Sequence, residues 1–189
     1  MLGVEKKIEF ECRFDRIVMT GFRATGKSAV GIRLAERLGF DFIDTDTELC
    51  SDIGSSIAEY VSRNGWPAFR QKEQELLGKL ADKKNTVIAT GGGAILHRTE
   101  WEKLRRNSLV IWLKADAGTI RQRMRQDEAT AGQRPSLTGT DCGDEVEMQL
   151  QDREVWYREG SDISIDSSVH TPDHIVQFIM REIFSESQR

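Results

Sequence analysis

The sequence is poor in cysteine and lacks any long apolar run, and both shortages exclude classes of protein. No apolar stretch approaches the ~20 residues that a helix needs to cross a bilayer, so we expect no contact with a membrane. The three cysteines, Cys12, Cys50 and Cys142, are odd in number and widely spaced. They form no pattern typical of disulfides or of a metal site, which favours a reducing cytoplasm.

A strong charge of one sign is also absent. The net charge of −4 gives no general attraction to nucleic acid, and no internal repeat, low-complexity tract or linker divides the chain. The 189 residues, 38% hydrophobic and 31% charged, indicate a soluble globular protein. We expect residues 1–15 to be an N-terminal extension rather than a secretory signal, and residues 16–189 to form a single domain.

Short apolar runs alternate with helix-like segments along the chain, which predicts an α/β fold with a parallel sheet covered by helices on both faces. The predicted strands are residues 16–20, 40–43, 86–90, 109–113 and 163–165. The predicted helices are residues 27–38, 47–75 with a break near 64–67, 99–106, 117–126, 145–157 and 172–184. The polar stretch 126–143 is expected to be mobile.

Residues 21–28 read Gly-Phe-Arg-Ala-Thr-Gly-Lys-Ser and fit the pattern G-x-x-x-x-G-K-[ST]. Gly21 and Gly26 let backbone N–H groups turn inward around a phosphate, toward which the following helix directs its positive end. Lys27 is then expected to reach the β- and γ-phosphates and Ser28 to ligate Mg²⁺. Because the motif follows a predicted strand and opens a predicted helix, it predicts a nucleoside-triphosphate site. It does not choose among GTPases, ATPases and the kinases of nucleotides or metabolites.

Two aspartates, Asp44 and Asp46, follow the second predicted strand, and they would point to the same side if the strand geometry continued. They would lie beside the phosphate loop, where one could hold Mg²⁺ through water and the other could accept a hydroxyl proton. Equally, Asp46 or Thr45 could be the N-cap of the next helix. The spacing does not decide between these interpretations.

Other candidates lie further along the chain. Arg70 and Glu73 have the spacing of a helical ion pair, which is also typical of a surface pair. Residues 91–93 are three glycines directly after a strand, which indicates that a ligand approaches the backbone there.

Two more arginines are candidates in the second half of the chain. Arg134 could close over the phosphates from a lid, although its sequence context alone favours a solvated loop arginine. Arg153 and Tyr157 lie one helical turn apart, which also fits a solvated helix face.

Taken in order, these motifs resemble those of the shikimate kinases, from Ile17 to about Ile183. They are G-F at the start of the phosphate loop, F-I-D-T-D, P-A-F-R-x-x-E, T-G-G-G, R-P-x-L and R-x-x-x-Y. Each motif is weak alone, but all six in this order are specific. The resemblance implies a three-layer P-loop NTPase fold with a five-stranded parallel sheet and a mobile lid. It also implies transfer of the γ-phosphoryl group of ATP to the 3-hydroxyl of shikimate, in aromatic amino-acid biosynthesis.

The resemblance further implies a role for each matching residue. Lys27, Asp46 and Arg134 would be catalytic, with Asp46 holding the acceptor hydroxyls and acting as a possible base, while Ser28 and Asp44 would bind the metal. The nucleotide would contact Gly21, Ala24, Thr25, Gly26, Lys27, Ser28, Ala29, Arg123 and Arg134, with Arg125 competing with Arg123 for adenine and residues 166–170 bordering it. Shikimate would contact Asp46, Arg70, Gly91, Gly92, Gly93 and Arg153. We therefore expect ATP with Mg²⁺ and shikimate as ligands of a cytoplasmic monomer.

The sequence also departs from the pattern of these kinases. Ala24 replaces a glycine usual in the loop, which is tolerable if its φ is negative; Ala29 replaces a threonine, and residues 127–143 form a longer lid. Two alternative functions stay open. One is another P-loop metabolite kinase, such as a gluconate kinase, and the other is a nucleotide-binding homologue that regulates a partner without turnover.

Overall fold

The computed structural model describes residues 14–126 and 142–186, apart from the side chains of 142–145 and 185–186. Its strands are β1 (Arg16–Thr20), β2 (Asp41–Asp44), β3 (Thr86–Ala89), β4 (Ser108–Lys114) and β5 (Ile163–Asp166). Its helices are α1 (Lys27–Leu38), α2 (Thr45–Ile53), α3 (Ile57–Leu80), α4 (Arg98–Arg105), α5 (Ala117–Gln126), α6 (Cys142–Glu159) and α7 (Pro172–Glu186), with a 3₁₀ turn at Ala94–Leu96.

The five strands form one sheet in the order β2-β3-β1-β4-β5, and every neighbouring pair is parallel. In this register Val18 of β1 lies opposite Ile88 of β3 and Val110 of β4. Because the strands are parallel, the segments that follow β1, β2 and β3 leave from the same edge of the sheet. That edge is where ligands bind in open α/β sheets.

The central strand β1 is apolar throughout because helices cover both faces of the sheet. Ile17 and Met19 belong to the buried cluster that includes residues of α1 and α7. Val18 points to the opposite face and belongs to the cluster that includes residues of α3 and α4. The predicted three-layer α/β fold is therefore confirmed, whereas most of the predicted lid, 126–143, lies outside the described residues.

The structure divides the helix predicted over residues 47–75 into α2 and α3. α2 ends at Gly54, which has a φ of +66°. α3 then begins with a capping box, in which Ser56 and Glu59 bond each other's backbone N–H groups. The break predicted near residues 64–67 is present within α3, at Gly65, which has a φ of +80°.

Within the residues that the structure describes, no helix combines the length and the apolar character that a bilayer span requires.

A buried arginine at the start of β1 connects three separate segments. Arg16 is 3% exposed, and its guanidinium donates to the carbonyls of Leu104 (3.1 Å) and Arg106 (3.0 Å) at the end of α4. Its Nε also donates to the carbonyl of Lys83 at 2.7 Å. Burial lowers the pKa of the guanidinium, against the opposing effect of the Asp15 carboxylate, but an arginine stays charged throughout the physiological pH range.

Replacing this arginine by an apolar side chain should destabilise the fold. We expect Arg16→Met to lower the free energy of unfolding by about 2–4 kcal/mol, because it leaves buried carbonyls without their donor. Urea denaturation followed by circular dichroism measures the change. Lys72→Met is the control, because Lys72 forms only an exposed ion pair with Glu75 and its loss should leave stability unchanged. Equal stability of the two variants would contradict the structural role of Arg16.

Candidate active site

The loop between β1 and α1 has the backbone geometry that a phosphate loop requires. Gly21 and Gly26 have φ values of +137° and +90°, and a Cβ at Gly21 would overlap the carbonyl oxygen of Leu113. Lys27 is 9% exposed, and its Nζ donates to the carbonyls of Gly21 (2.9 Å) and Phe22 (2.7 Å). The ammonium group therefore lies against the loop and at the start of α1.

Ala24, in the middle of this loop, has a φ of +60°. The condition under which an alanine would be tolerated here, a negative φ, is therefore not met. The left-handed conformation costs about 1–2 kcal/mol for a residue with a Cβ, which explains why a glycine suits this position. The carbonyl of Ala24 accepts a hydrogen bond of 3.2 Å from Arg123.

The side chains of Ser28 and Asp44 meet at the end of the loop. Ser28 Oγ donates to Asp44 Oδ2 at 2.5 Å, while Asp44 Oδ1 accepts from the backbone N–H groups of Asp46 (3.0 Å) and Thr47 (3.3 Å). Asp44 is therefore the N-cap of α2, and the assignment of that cap to Asp46 or Thr45 is wrong. The two side chains offer adjacent hard oxygen atoms, and Mg²⁺ in phosphate sites usually takes one or two protein oxygens, so these residues fit the ion.

The strand geometry does not continue through Asp46, so the condition under which both aspartates would point to the same side is not met. β2 ends at Asp44, and Asp46 lies half-buried in the first turn of α2. The position of that turn is fixed by Thr45, whose Oγ1 accepts a hydrogen bond of 2.8 Å from the N–H of Gly91. Asp46 consequently follows two residues, Asp44 and Thr45, that bond Ser28 of the phosphate-loop motif and Gly91 of the glycine segment, residues 91–93.

The glycine segment after β3 contacts both of the predicted substrate arginines. The Arg70 guanidinium lies so close to Gly93 that a Cβ there would come within 2.9 Å of its Cζ. Arg153 donates to the carbonyl of Gly92 at 3.3 Å, and the hydroxyl of Tyr157 donates to the same oxygen at 2.6 Å. The alternative interpretation, a solvated helix face for Arg153 and Tyr157, is therefore wrong.

Arg70 is held by a buried carboxylate rather than by a surface ion pair. Glu73 is 1% exposed, and its Oε2 accepts from Arg70 Nη1 at 2.5 Å and from His97 Nε2 at 2.9 Å. Burial by itself raises the pKa of Glu73, but the hydrogen bond from His97 and the charge of Arg70 outweigh burial and lower it. Nothing in the sequence indicated His97, because no motif links the residue after the 3₁₀ turn to Glu73 in α3.

Arg123 connects the phosphate loop to the segment 166–170. Besides the carbonyl of Ala24, its guanidinium contacts Ser167, donating to the backbone oxygen at 2.6 Å and to Oγ at 3.2 Å. Arg125 is exposed, so Arg123 is the arginine placed between the two segments predicted to border the nucleotide. Arg134, the predicted lid arginine, lies outside the described residues.

The same edge of the sheet thus carries a phosphate loop and two adjacent side-chain oxygen atoms that fit a metal ion. It also carries two arginines, which contact the consecutive glycines Gly92 and Gly93. A nucleotide phosphate and a small anionic acceptor can meet there, which defines the class of P-loop small-molecule kinases. The sequence profile of the family described as Shikimate kinase matches residues 23–184. The chain belongs to this family of kinases, which use ATP as the phosphoryl donor.

Relatives and solved structures agree with this membership. The chain is 38% identical over 170 residues to Shikimate kinase 2 of Yersinia enterocolitica, covering 90% of this chain and 96% of that protein. It is 40% identical over 164 residues to Shikimate kinase 2 of an Enterobacter strain, covering 87% and 92%. The fold matches the shikimate kinase of Acinetobacter baumannii in complex with shikimate with a TM-score of 0.85, at 30% identity, covering 93% and 96%.

The strain at Ala24 predicts that two alanine-to-glycine substitutions change the free energy of unfolding in opposite directions. We expect Ala24→Gly to raise the free energy of unfolding by about 0.5–1 kcal/mol, because glycine adopts the positive φ without strain at a smaller entropic cost. The control, Ala29→Gly within α1, should lower it by about 1 kcal/mol. Urea denaturation of both variants measures the difference, and a loss of stability in both would show that Ala24 is not strained.

Proposed function

We propose that the chain transfers the γ-phosphoryl group of ATP to the 3-hydroxyl of shikimate, giving shikimate 3-phosphate and ADP on the route to aromatic amino acids. The observation that carries the proposal is the position of Arg70 and Arg153 on consecutive glycines beside the phosphate loop. Shikimate carries a carboxylate and vicinal hydroxyls. Arginines bind a carboxylate through charge-assisted hydrogen bonds, while the hydroxyls can be held by an aspartate.

The donor side is formed by the phosphate loop. The backbone N–H groups of the loop and the start of α1 bind the phosphates, and the Lys27 ammonium offsets the charge that develops on the migrating group. Ser28 and Asp44 are the residues that would hold Mg²⁺, which would supply positive charge to offset that of the nucleotide phosphates. We assign Arg123 to the adenine side, because it lies between the loop and Ser167.

On the acceptor side, we assign Asp46 to the reacting hydroxyl. Arg70, with Arg153, binds the carboxylate of shikimate, and Asp46 accepts a hydrogen bond from the 3-hydroxyl. As the oxygen–phosphorus bond forms and the bond to the ADP oxygen breaks, the hydroxyl proton passes to the Asp46 carboxylate. Holding the two ends of a rigid ring in this way orients the hydroxyl toward the γ-phosphate before the reaction.

Three further assignments rest on the sequence alone and stay predictions. Arg134 would close over the phosphates from the lid, as its match to the family motif R-P-x-L implies. A cytoplasmic location follows from the cysteine usage, and a monomer is expected.

The substrate and the class of function can be tested together by measuring ADP release with shikimate and with gluconate. We expect turnover with shikimate only, and we expect Lys27→Ala to lower kcat by about 10²–10³-fold, because losing such a contact raises the barrier by roughly 3–4 kcal/mol. Turnover with gluconate alone would favour another metabolite kinase. ATP binding without turnover on either acceptor would favour a regulatory homologue.

Replacing Asp46 and replacing Arg70 should change different kinetic constants. Asp46→Asn removes the proton acceptor and should lower kcat by about 10²-fold with little change in the KM for shikimate. Arg70→Ala removes a carboxylate contact that is present in the ground and transition states, so it should raise that KM. The expected loss of binding free energy is ~2–5 kcal/mol. Steady-state kinetics with varied shikimate distinguishes the two.

The controls are exposed residues of the same type on the same helices. Asp52→Asn on α2 and Arg63→Ala on α3 should leave both constants unchanged. Because Arg70→Ala also removes a partner of buried Glu73, Arg70→Lys is measured beside it, since lysine keeps the charge but lacks the planar fork. If an Arg70 variant weakens ATP binding while the KM for shikimate stays constant, the assignment of Arg70 to shikimate is wrong.

A further inference from the structure

Arg70 forms its ion pair with a single carboxylate oxygen. Glu73 Oε2 accepts hydrogen bonds from Arg70 and from His97, whereas Oε1 is buried and has no hydrogen-bond partner in the described part of the chain. A guanidinium and a carboxylate frequently form a bidentate pair that uses both oxygens. In this structure Arg70 bonds only one oxygen of Glu73, Oε2, and His97 bonds the same oxygen.

His97 is well placed to impose this arrangement. Its backbone is fixed on both sides, since its N–H donates to the carbonyl of Ala94 at 3.1 Å and its carbonyl accepts from Trp101 at 2.8 Å. Its side chain is 12% exposed and lies at the end of the 3₁₀ turn that follows the glycine segment. The ring therefore contacts Glu73 from the segment after β3, whereas Arg70 contacts it from within α3.

The other charged groups near the ring do not replace this contact. Glu100 of α4 lies near His97, but its main hydrogen bond comes from Gln74. Arg98, the next residue, lies over the ring of Trp156 at 3.9 Å. Glu73 and Arg70 of α3 are consequently the partners through which His97 can affect the acceptor side.

Resting on the proposed function, we infer that His97 is a positioning residue for the acceptor carboxylate. By holding Glu73 Oε2, it restricts the ion pair of Glu73 with Arg70 to one oxygen and keeps the guanidinium against Gly93. The remaining N–H groups of Arg70 are then left for the carboxylate of shikimate. Without His97, the Glu73 carboxylate is free to turn, satisfy Oε1 with the same guanidinium and compete with the substrate for it.

Two amide variants of His97 test this inference. His97→Asn is too short to reach Glu73, whereas His97→Gln keeps an N–H donor at nearly the distance of the histidine Nε2. We expect His97→Asn to raise the KM for shikimate about tenfold, the equivalent of one lost hydrogen bond to a charged group, with kcat and the KM for ATP unchanged. His97→Gln should restore most of the wild-type KM. Melting temperatures of both variants separate a loss of fold from a loss of positioning.

A third variant tests whether the effect passes through Glu73. In a Glu73→Gln background, where the carboxylate charge is gone, His97→Asn should cause no further rise in the KM for shikimate, because the coupling between the two sites is then lost. His174→Ala, an exposed histidine on α7, is the control and should leave the KM unchanged. Glu75→Gln is the matching control for Glu73, since Glu75 is an exposed residue of the same helix.

The outcomes distinguish this inference from the proposed function. A wild-type protein that does not phosphorylate shikimate overturns the proposed function. A wild-type protein that does so, with an unchanged shikimate KM in His97→Asn, overturns only the role of His97. Equal increases in KM for His97→Asn and His97→Gln would likewise overturn it, as would full additivity of His97→Asn and Glu73→Gln.

Discussion

Three consecutive glycines after β3 each contact a different helix, and the acceptor side of the site depends on those contacts. The N–H of Gly91 bonds Thr45 at the start of α2, the carbonyl of Gly92 accepts from Tyr157 and Arg153 of α6, and Gly93 lies against the Arg70 guanidinium of α3. A side chain at Gly93 would overlap that guanidinium. The absence of side chains therefore lets one short segment set the positions of Asp46, Arg153 and Arg70 together.

The donor side depends on similar backbone constraints. Lys27 is bonded to two loop carbonyls, and the carbonyl of Ala24 is bonded to Arg123, which also contacts Ser167. The loop is thereby attached to the segment beyond β5 as well as to α1. The conformational strain at Ala24 is tolerated because these neighbouring contacts, and not the preference of alanine, determine the path of the loop.

The sequence predicted the fold better than it predicted the contacts of individual side chains in the candidate site. Apolar runs such as Ile17–Met19 identify strands because burial on both faces leaves no polar position. In contrast, the spacing of Asp44 and Asp46 could not show that the strand ends at Asp44, since that depends on the cap formed with the N–H groups of α2. Glu73 and Arg70 have the spacing of any surface pair, and only the tertiary packing makes Glu73 buried.

The kink at Gly65 divides α3 into two parts, and Arg70 and Glu73 lie on the same part. A rotation of that part about Gly65 would carry both residues together and preserve their ion pair. It would, however, change the separation between Glu73 and His97, because His97 belongs to the segment after β3. The imidazole is therefore an internal probe of the angle at Gly65: its NMR signals would report whether the second part of α3 turns when a substrate enters, without any label being added to the chain.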